Sequence, residues 1–544
     1  MDQKTSFLPP SPQSEQSRFN EVEKMGFLLL IVALTTTFGT AVPVGYTIGV
    51  VNAPAEYMRN WCNASFLDRY GVTLTENSLD ILWASIVSVF LIGGCAGSLG
   101  GAWIADNLGR YVPHSQSIAF VIRRESIAGA GIMLIHQICK KAQKGPRTRL
   151  LDLRIRPSFA SGLTTATLPM YLLELAPLAL RGALGVFCSI GVTGGVVVGQ
   201  VFSLQEIFGT DELWHWALSF YVVLVIVCFV AAPWWPESPK YLYLTANRKD
   251  DAKTVLLRLR GNDPNFVQYE LEEMNQELVE KSDTRSVKSV ISDPALLLPI
   301  VLVCALQGGQ QLSGVNAVFY YSVSIFESAG LSSTNAKWAN LGAGCLNLAT
   351  AFFHATSHEV CQQTTHQFNI VHRKWHFPVY SHLCGQLHSP VPYFIGSELC
   401  SVSHRAAIMS LGALAQWSGN FIDYASWLAY ACIACVLLYI LFYQIGLGPI
   451  PYFIGSELCD VSSRAGLMSL GSLASWSGNF LVGISFPILQ SLWGAWVFLP
   501  FVIVCFLLVL LLFFYLPETR GKQASEVAPL VSRGFRSKPR VPFQ

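Results

Sequence analysis

The feature that most constrains this chain is a series of long apolar runs separated by polar segments. Each run is about 20 residues long, the length that an α-helix needs to cross roughly 30 Å of hydrocarbon. Charged residues make up 13% of the chain, against about 25% in average soluble domains. We therefore predict an all-α, polytopic membrane protein. The clearest runs are Met25–Val50, Ile81–Ala105, Trp216–Trp235, Leu296–Val318 and Trp493–Leu516.

Lys and Arg residues predict the orientation of the chain, because cytoplasmic loops carry an excess of them. Nine lie in segment 237–293 and six in segment 517–544, whereas the loop 51–80 has only two. We therefore expect a plasma-membrane protein with both termini in the cytoplasm and the first loop outside. Asn63 in that loop begins an Asn-Ala-Ser acceptor, so we expect it to be N-glycosylated.

The two halves of the chain repeat one pattern of charges. Glu174 and Arg181 are seven positions apart in the first half, as are Glu457 and Arg464 in the second. A Pro-Glu dipeptide follows each Glu at nearly the same distance, 63 and 61 positions. Either pair alone could be interfacial side chains that reach to water, but the matched spacing favours a transporter built from two repeats. The predicted domains are an N-terminal tail (1–24), an N-terminal bundle (25–236), a linker (237–293), a C-terminal bundle (294–516) and a C-terminal tail (517–544).

Two stretches depart from this pattern. Stretch 111–160, where two helices are expected, has Lys and Arg at a density that is costly in hydrocarbon. Stretch 354–388 holds seven of the 11 His residues. We interpret both as disrupted parts of helices 3–4 and 8–9, best explained by an altered or mis-joined reading of the gene. A metal site built from these His with Cys361 and Cys384 is disfavoured because no ligand spacing recurs, so we predict no metal and no cofactor.

A direct duplication lies in the second half. Segments 390–421 and 449–480 match at 25 of 32 positions, with an offset of 59. Only Glu457 of the second copy keeps the spacing to the Pro-Glu dipeptide that the first half shows. The corresponding distance from Glu398 is 120 positions. We therefore predict that the second copy is in register with the fold and carries the function.

Eight short motifs follow one another along the chain, and together they resemble the facilitative glucose transporters, the sugar-porter branch of the major facilitator superfamily. The resemblance implies two six-helix bundles in a lipid bilayer, with a hexose bound between them and carried by alternating access. For a protein of this kind we expect no nucleic-acid partner. The motifs are GYTIGVVNAP (45–54), DNLGR (106–110), PMYLLE (169–174), RGALG (181–185), PESPK (236–240), QQLSGVN (310–316), GPIPY (448–452) and PETRG (517–521).

The predicted sugar site consists of amide and aromatic side chains. A hexose is uncharged and covered in hydroxyls, and amides supply donors and acceptors without burying a charge. Gln307, Gln310 and Gln311 share one helical face, although polar groups can also join helices. By resemblance, Gln310, Gln311, Asn316 and Asn347 contact the sugar. The aromatic residues of the set, Tyr452 and Trp476, offer ring faces to the sugar. The alternative is that they belong to a belt of aromatic residues at the membrane–water interface. The full predicted set is Gln307, Gln310, Gln311, Asn316, Asn347, Gln444, Tyr452, Trp476 and Asn479.

The resemblance also implies a cytoplasmic latch, in which ion pairs between the bundles hold the outward-facing state and break on inward opening. Its predicted members are Arg110, Glu174, Arg181, Glu457 and Arg464.

Several positions depart from the family pattern and leave the choice between glucose and fructose open. Cys188 and Ser189 stand where the family usually has His and Gln, Gln444 where it has Glu, and Tyr452 where glucose carriers have Trp. A proton-coupled symporter is disfavoured because run 25–50 contains no Asp or Glu. An enzyme is disfavoured because we find no nucleophile–base pair and no phosphate-binding loop. A non-transporting product remains an alternative because of the two disrupted stretches.

Overall fold

The structure, a computed structural model, describes residues 27–107, 148–177, 180–221, 223–224, 234–260, 264–279, 287–328, 330–372, 427–517, 519 and 524–537. These residues form helices and connecting turns, with no β-strand among them, so the predicted all-α fold is confirmed. The predictions for Arg110, for the first copy 390–421 and for most of stretch 111–160 fall outside the described residues.

The first bundle is built around a close contact between its first and fifth described helices. A Cβ at Gly45 would lie 1.8 Å from the Val192 carbonyl oxygen, and one at Gly195 would lie 2.0 Å from that of Val42. Only glycine permits backbones to approach this closely. The helices are α1 (Phe27–Gly49), α2 (Ala55–Tyr70), α3 (Glu76–Asn107), α4 (Thr148–Leu175), α5 (Arg181–Phe202) and α6 (Trp214–Ser219).

The linker forms three short helices, α7 (Lys249–Leu259), α8 (Pro264–Val279) and α9 (Val287–Ser292). Leu259 at the end of α7 belongs to the same buried apolar cluster as Leu29 in α1. Arg260 ties this region to the bundle, because its Nη1 donates to the Leu175 carbonyl oxygen at 2.9 Å and its Nη2 pairs with Glu270 at 2.9 Å. We call this side of the molecule the linker end, and the side that carries α2 the opposite end.

The second bundle contains two helices that are broken in the middle. The first break follows Ser313, where Gly314 adopts a φ of +92°. The second lies between Ile445 and Ile450, a stretch that contains Gly446, Gly448 and Pro449. The helices are α10 (Leu297–Leu312), α11 (Val315–Ser328), α12 (Ser333–His372), α13 (Trp427–Ile445), α14 (Ile450–Glu457), α15 (Val461–Trp493) and α16 (Leu499–Tyr515), followed by α17 (Ala524–Val531) in the C-terminal tail.

Five helices in the described part of the chain are long and apolar enough to cross a membrane. In the two stretches predicted to be disrupted, helical backbone extends further than the composition suggests, since α4 begins at Thr148 and α12 continues to His372. Polar residues such as Gln, Lys and Arg are good helix formers, so polar composition alone does not end a helix. The five helices are Phe27–Gly49, Arg181–Phe202, Pro294–Glu327, Ser462–Trp493 and Trp496–Tyr515.

Candidate functional site

A cavity that is partly open to solvent lies between the two bundles. Helices α1, α4 and α5 line it from the first bundle, and α10 to α15 line it from the second. The structure brings all nine predicted sugar-site residues to its wall: Gln307, Gln310, Gln311, Asn316, Asn347, Gln444, Tyr452, Trp476 and Asn479.

The amides of the first broken helix form a continuous hydrogen-bonded row. Gln310 Nε2 donates to the carbonyl oxygens of Leu447 at 2.6 Å and Gly448 at 2.9 Å. Gln310 Oε1 accepts from Gln311 Nε2 at 3.1 Å, and Gln311 Oε1 accepts from Asn316 Nδ2. Gln310 therefore satisfies carbonyls that the break between α13 and α14 leaves without helical partners. The sequence by itself does not indicate this role.

Trp476 is a contact between the bundles as well as part of the cavity wall. It is 5% exposed, and its indole Nε1 donates to Thr165 Oγ1 in α4 at 2.9 Å. A Cβ at Gly94 in α3 would lie 2.3 Å from the indole ring, so the ring occupies the space that glycine leaves. This buried position does not match an interfacial belt, where one end of the side chain is in contact with water.

Three cavity-lining amides carry a buried atom with no hydrogen-bond partner among the described residues. These atoms are Gln307 Nε2, Asn347 Oδ1 and Gln444 Oε1. Leaving a buried polar atom unsatisfied costs about 1–3 kcal/mol. A ligand that offers both hydroxyl donors and hydroxyl acceptors would remove that cost.

The cavity wall is neutral. None of its described residues is Asp, Glu, Lys, Arg or His. A charged ligand would enter without a counter-charge, which is expensive in a membrane interior. The wall is therefore suited to an uncharged polar ligand.

A buried ion pair joins the bundles at the linker end. Arg464 Nη1 of α15 lies 3.4 Å from Glu174 Oε1 of α4, and the two side chains are 7% and 0% exposed. Ser238 Oγ donates to the other Glu174 oxygen at 2.6 Å. Arg181 at the start of α5 and Glu457 at the end of α14 lie at helix ends on the same side. Four of the five predicted latch residues are therefore described at this end.

A second polar network, which the sequence patterns do not predict, joins the bundles at the opposite end. Asn52 Nδ2 donates to Ser322 Oγ at 2.8 Å and to the Phe319 carbonyl oxygen at 2.9 Å. Ser322 Oγ donates to Asn340 Oδ1 at 2.7 Å, and Gln200 Nε2 donates to the same oxygen at 2.8 Å. The only sequence signal was amides near the ends of apolar helices. Hydrogen bonds between the bundles thus cross both ends of the cavity.

Asn63, the predicted glycosylation site, lies within α2 and is half-buried. Its Oδ1 accepts a hydrogen bond from the Leu74 backbone N–H at 3.0 Å. The Nδ2 atom, to which the predicted glycan would attach, takes no part in that bond.

The sequence profile described as "Sugar (and other) transporter" matches residues 32–362 and 423–530. It leaves out residues 363–422, which contain the first copy of the duplication. Facilitated glucose transporter member 3 of Ovis aries is 32% identical over 501 residues, which cover 92% of each chain. Member 1 of Gallus gallus is 32% identical over 488 residues, which cover 89% of each chain.

Solved structures of a bacterial sugar transporter share the fold. The proton:xylose symporter XylE bound to 6-bromo-6-deoxy-D-glucose aligns with a TM-score of 0.69 at 19% identity, over 92% of this chain and 98% of that one. The inward-open conformation of XylE from E. coli aligns with a TM-score of 0.63. The profile match and the identity to the curated relatives agree with the eight motifs, and the chain therefore belongs to the facilitative glucose transporter family of the major facilitator superfamily.

Proposed function

We propose that this protein carries a hexose passively across the plasma membrane by alternating access, with D-glucose as the first candidate and D-fructose as the second. The observation that carries the proposal is the neutral, amide-lined cavity between the bundles. Its polar groups match the hydroxyls of an uncharged sugar, and its position between two repeats is typical of secondary transporters. The names of the curated relatives support glucose as the first candidate.

The two polar contacts at the ends of the cavity supply the gates in this proposal. Opening toward the linker end, which we place in the cytoplasm, breaks the ion pair of Glu174 and Arg464. Opening toward the opposite end breaks the bonds of Asn52 to Ser322 and Phe319. Because both contacts join the two bundles, rocking one bundle against the other breaks one contact while the other forms. Sugar binding favours closure if it supplies partners to the three unsatisfied amide atoms.

Passive transport is favoured over proton coupling by the absence of acids from the described site. A proton-coupled carrier needs an ionisable group that can take up and release the proton. The described cavity wall has no carboxylate, and α1 contains no Asp or Glu. The fold is shared with a proton symporter, so the distinction has to be made by experiment.

The test is uptake into vesicles that contain the purified protein. Labelled D-glucose should equilibrate across the membrane without a pH gradient, and unlabelled D-glucose should compete better than D-fructose. Stronger competition by D-fructose would make D-fructose the first candidate and D-glucose the second. Accumulation above the outside concentration, abolished by a protonophore, would refute passive transport.

A further inference from the structure

The two bundles contribute unequally to the cavity. The first bundle offers four aliphatic side chains and three hydroxyls, and each hydroxyl has a hydrogen-bond partner within the protein. Thr165 accepts from Trp476, Thr193 donates to the Ser189 carbonyl oxygen at 2.9 Å, and the Ser189 hydroxyl accepts from Gln444. Every amide side chain of the described cavity wall belongs to the second bundle.

The bond between Ser189 and Gln444 crosses from one bundle to the other. Gln444 Nε2 on α13 donates to Ser189 Oγ on α5 at 3.0 Å, and the two residues are 0% and 2% exposed. Both positions depart from the residues typical of the family, and the structure places the two departures in direct contact. The pair forms one unit, in which a short hydroxyl meets a neutral amide.

The remaining atom of the Gln444 amide has no partner. Its Oε1 is buried and accepts no hydrogen bond among the described residues. The amide also packs on Gly448 at the helix break, where an added Cβ would lie 2.5 Å from Oε1 and 3.0 Å from Nε2. In the structure the amide N–H faces Ser189, and the amide oxygen is the atom left without a partner.

We propose that Ser189 is a positioning residue that determines specificity, because it fixes the Gln444 amide with its oxygen available as an acceptor. The ligand then has to donate a hydroxyl at this point, and an analogue without that donor is rejected. Since the bond joins the two bundles, it forms when the cavity closes, so selection takes place at closure. This inference rests on the proposed function and names a feature of the hexose that the site selects.

The variant Ser189→Ala removes the acceptor that orients the amide, which can then turn and present either its oxygen or its N–H. The probes are a series of glucose analogues, each with one hydroxyl replaced by hydrogen or by fluorine. Fluorine cannot donate a hydrogen bond. We expect the wild type to discriminate about tenfold against both analogues at the position that faces Gln444, within the range of about 5- to 150-fold for a buried group left unpaired.

In Ser189→Ala we expect the fluorine analogue at that position to compete within about twofold of glucose, with discrimination at the other positions unchanged. Ser189→Thr keeps the hydroxyl and should restore the wild-type pattern. Thr36→Val is the matched control, since it removes a buried first-bundle hydroxyl that bonds only to backbone and lies outside the cavity wall, and it should leave the pattern unchanged. In a Gln444→Met background, Ser189→Ala should have no further effect on selectivity.

Gly448→Ala tests the same amide from its other face and serves if Ser189→Ala does not reach the membrane. The added methyl would displace the amide, and the same single position should lose its discrimination. Full discrimination in either variant would overturn the proposal, as would an equal loss for every analogue. Wild-type uptake is measured first: if neither glucose nor fructose equilibrates, the proposed function fails and this inference with it. Normal wild-type uptake with an unchanged Ser189→Ala pattern refutes this inference alone.

Discussion

Trp476 offers a prediction that the chain itself provides with a control. The side chain is buried, packs on Gly94 and donates to Thr165 across the bundle interface. Truncating a buried Trp to Ala costs about 3–5 kcal/mol, and the lost hydrogen bond adds about 0.5–1.5 kcal/mol. The contacts to Gly94 and Thr165 join the bundles, so part of this cost falls on the closed state alone. Each 1.4 kcal/mol of that part reduces the closed population about tenfold.

The assay is initial uptake of labelled glucose by cells without their own hexose carriers, divided by the amount of protein at the surface. We expect Trp476→Ala to fall below about one tenth of the wild type, from the closure cost above. Trp476→Phe keeps a ring and loses only the N–H, so its uptake should fall about 2- to 10-fold, as expected for one hydrogen bond.

The control is Trp417→Ala, the same change in the first copy of the duplication. The family profile leaves out residues 363–422, and the two copies cannot occupy one position at the interface. We expect Trp417→Ala to leave uptake unchanged, and the pair Asn479→Ala and Asn420→Ala to differ in the same way. If Trp417→Ala abolishes uptake at equal surface expression while Trp476 tolerates Ala, our register for the second half is wrong.

Four further predictions follow from the contacts at and around the cavity. Glu174→Gln leaves the buried Arg464 without its counter-charge, and breaking such a pair costs about 3–5 kcal/mol. Labelling of cysteine thiols by a reagent added on the side of the linker end should therefore increase, and unchanged labelling would argue against a gate there. Asn52→Ala should increase labelling from the opposite end instead, and labelling of both ends alike would contradict separate gates. Gln310→Leu leaves two carbonyls unsatisfied at about 1–3 kcal/mol each, so the melting temperature should fall along with uptake, whereas a loss of uptake alone would point to a ligand contact only. Asn63→Gln should sharpen the gel band as deglycosylation does, and an unchanged band would count against an outside first loop.

Much of the architecture could be predicted because it depends on local patterns. Apolar runs of membrane length indicate helices whatever they pack against, since backbone groups in hydrocarbon have to be satisfied within the helix. Gly and Pro residues between Ile445 and Ile450 indicate a break for a similarly local reason. The spacing of Gln307, Gln310 and Gln311 places them on one helical face. This shared face is enough to predict that the three residues line a cavity, and the structure brings them together in the cavity wall.

The partners of those side chains were decided by the tertiary structure. Gln310 bonds to carbonyls 137 and 138 positions away, and the periodicity of its own helix contains no information about them. Ser189 and Gln444 read separately as two departures from a family pattern, and their bond exists only because α5 and α13 meet across the cavity. The same holds for the hydrogen-bonded network that links Asn52, in the turn after α1, to residues of three other elements: Ser322 in α11, Asn340 in α12 and Gln200 in α5. Sequence periodicity determines which face a residue occupies, whereas its hydrogen-bond partner depends on which distant helix packs against that face.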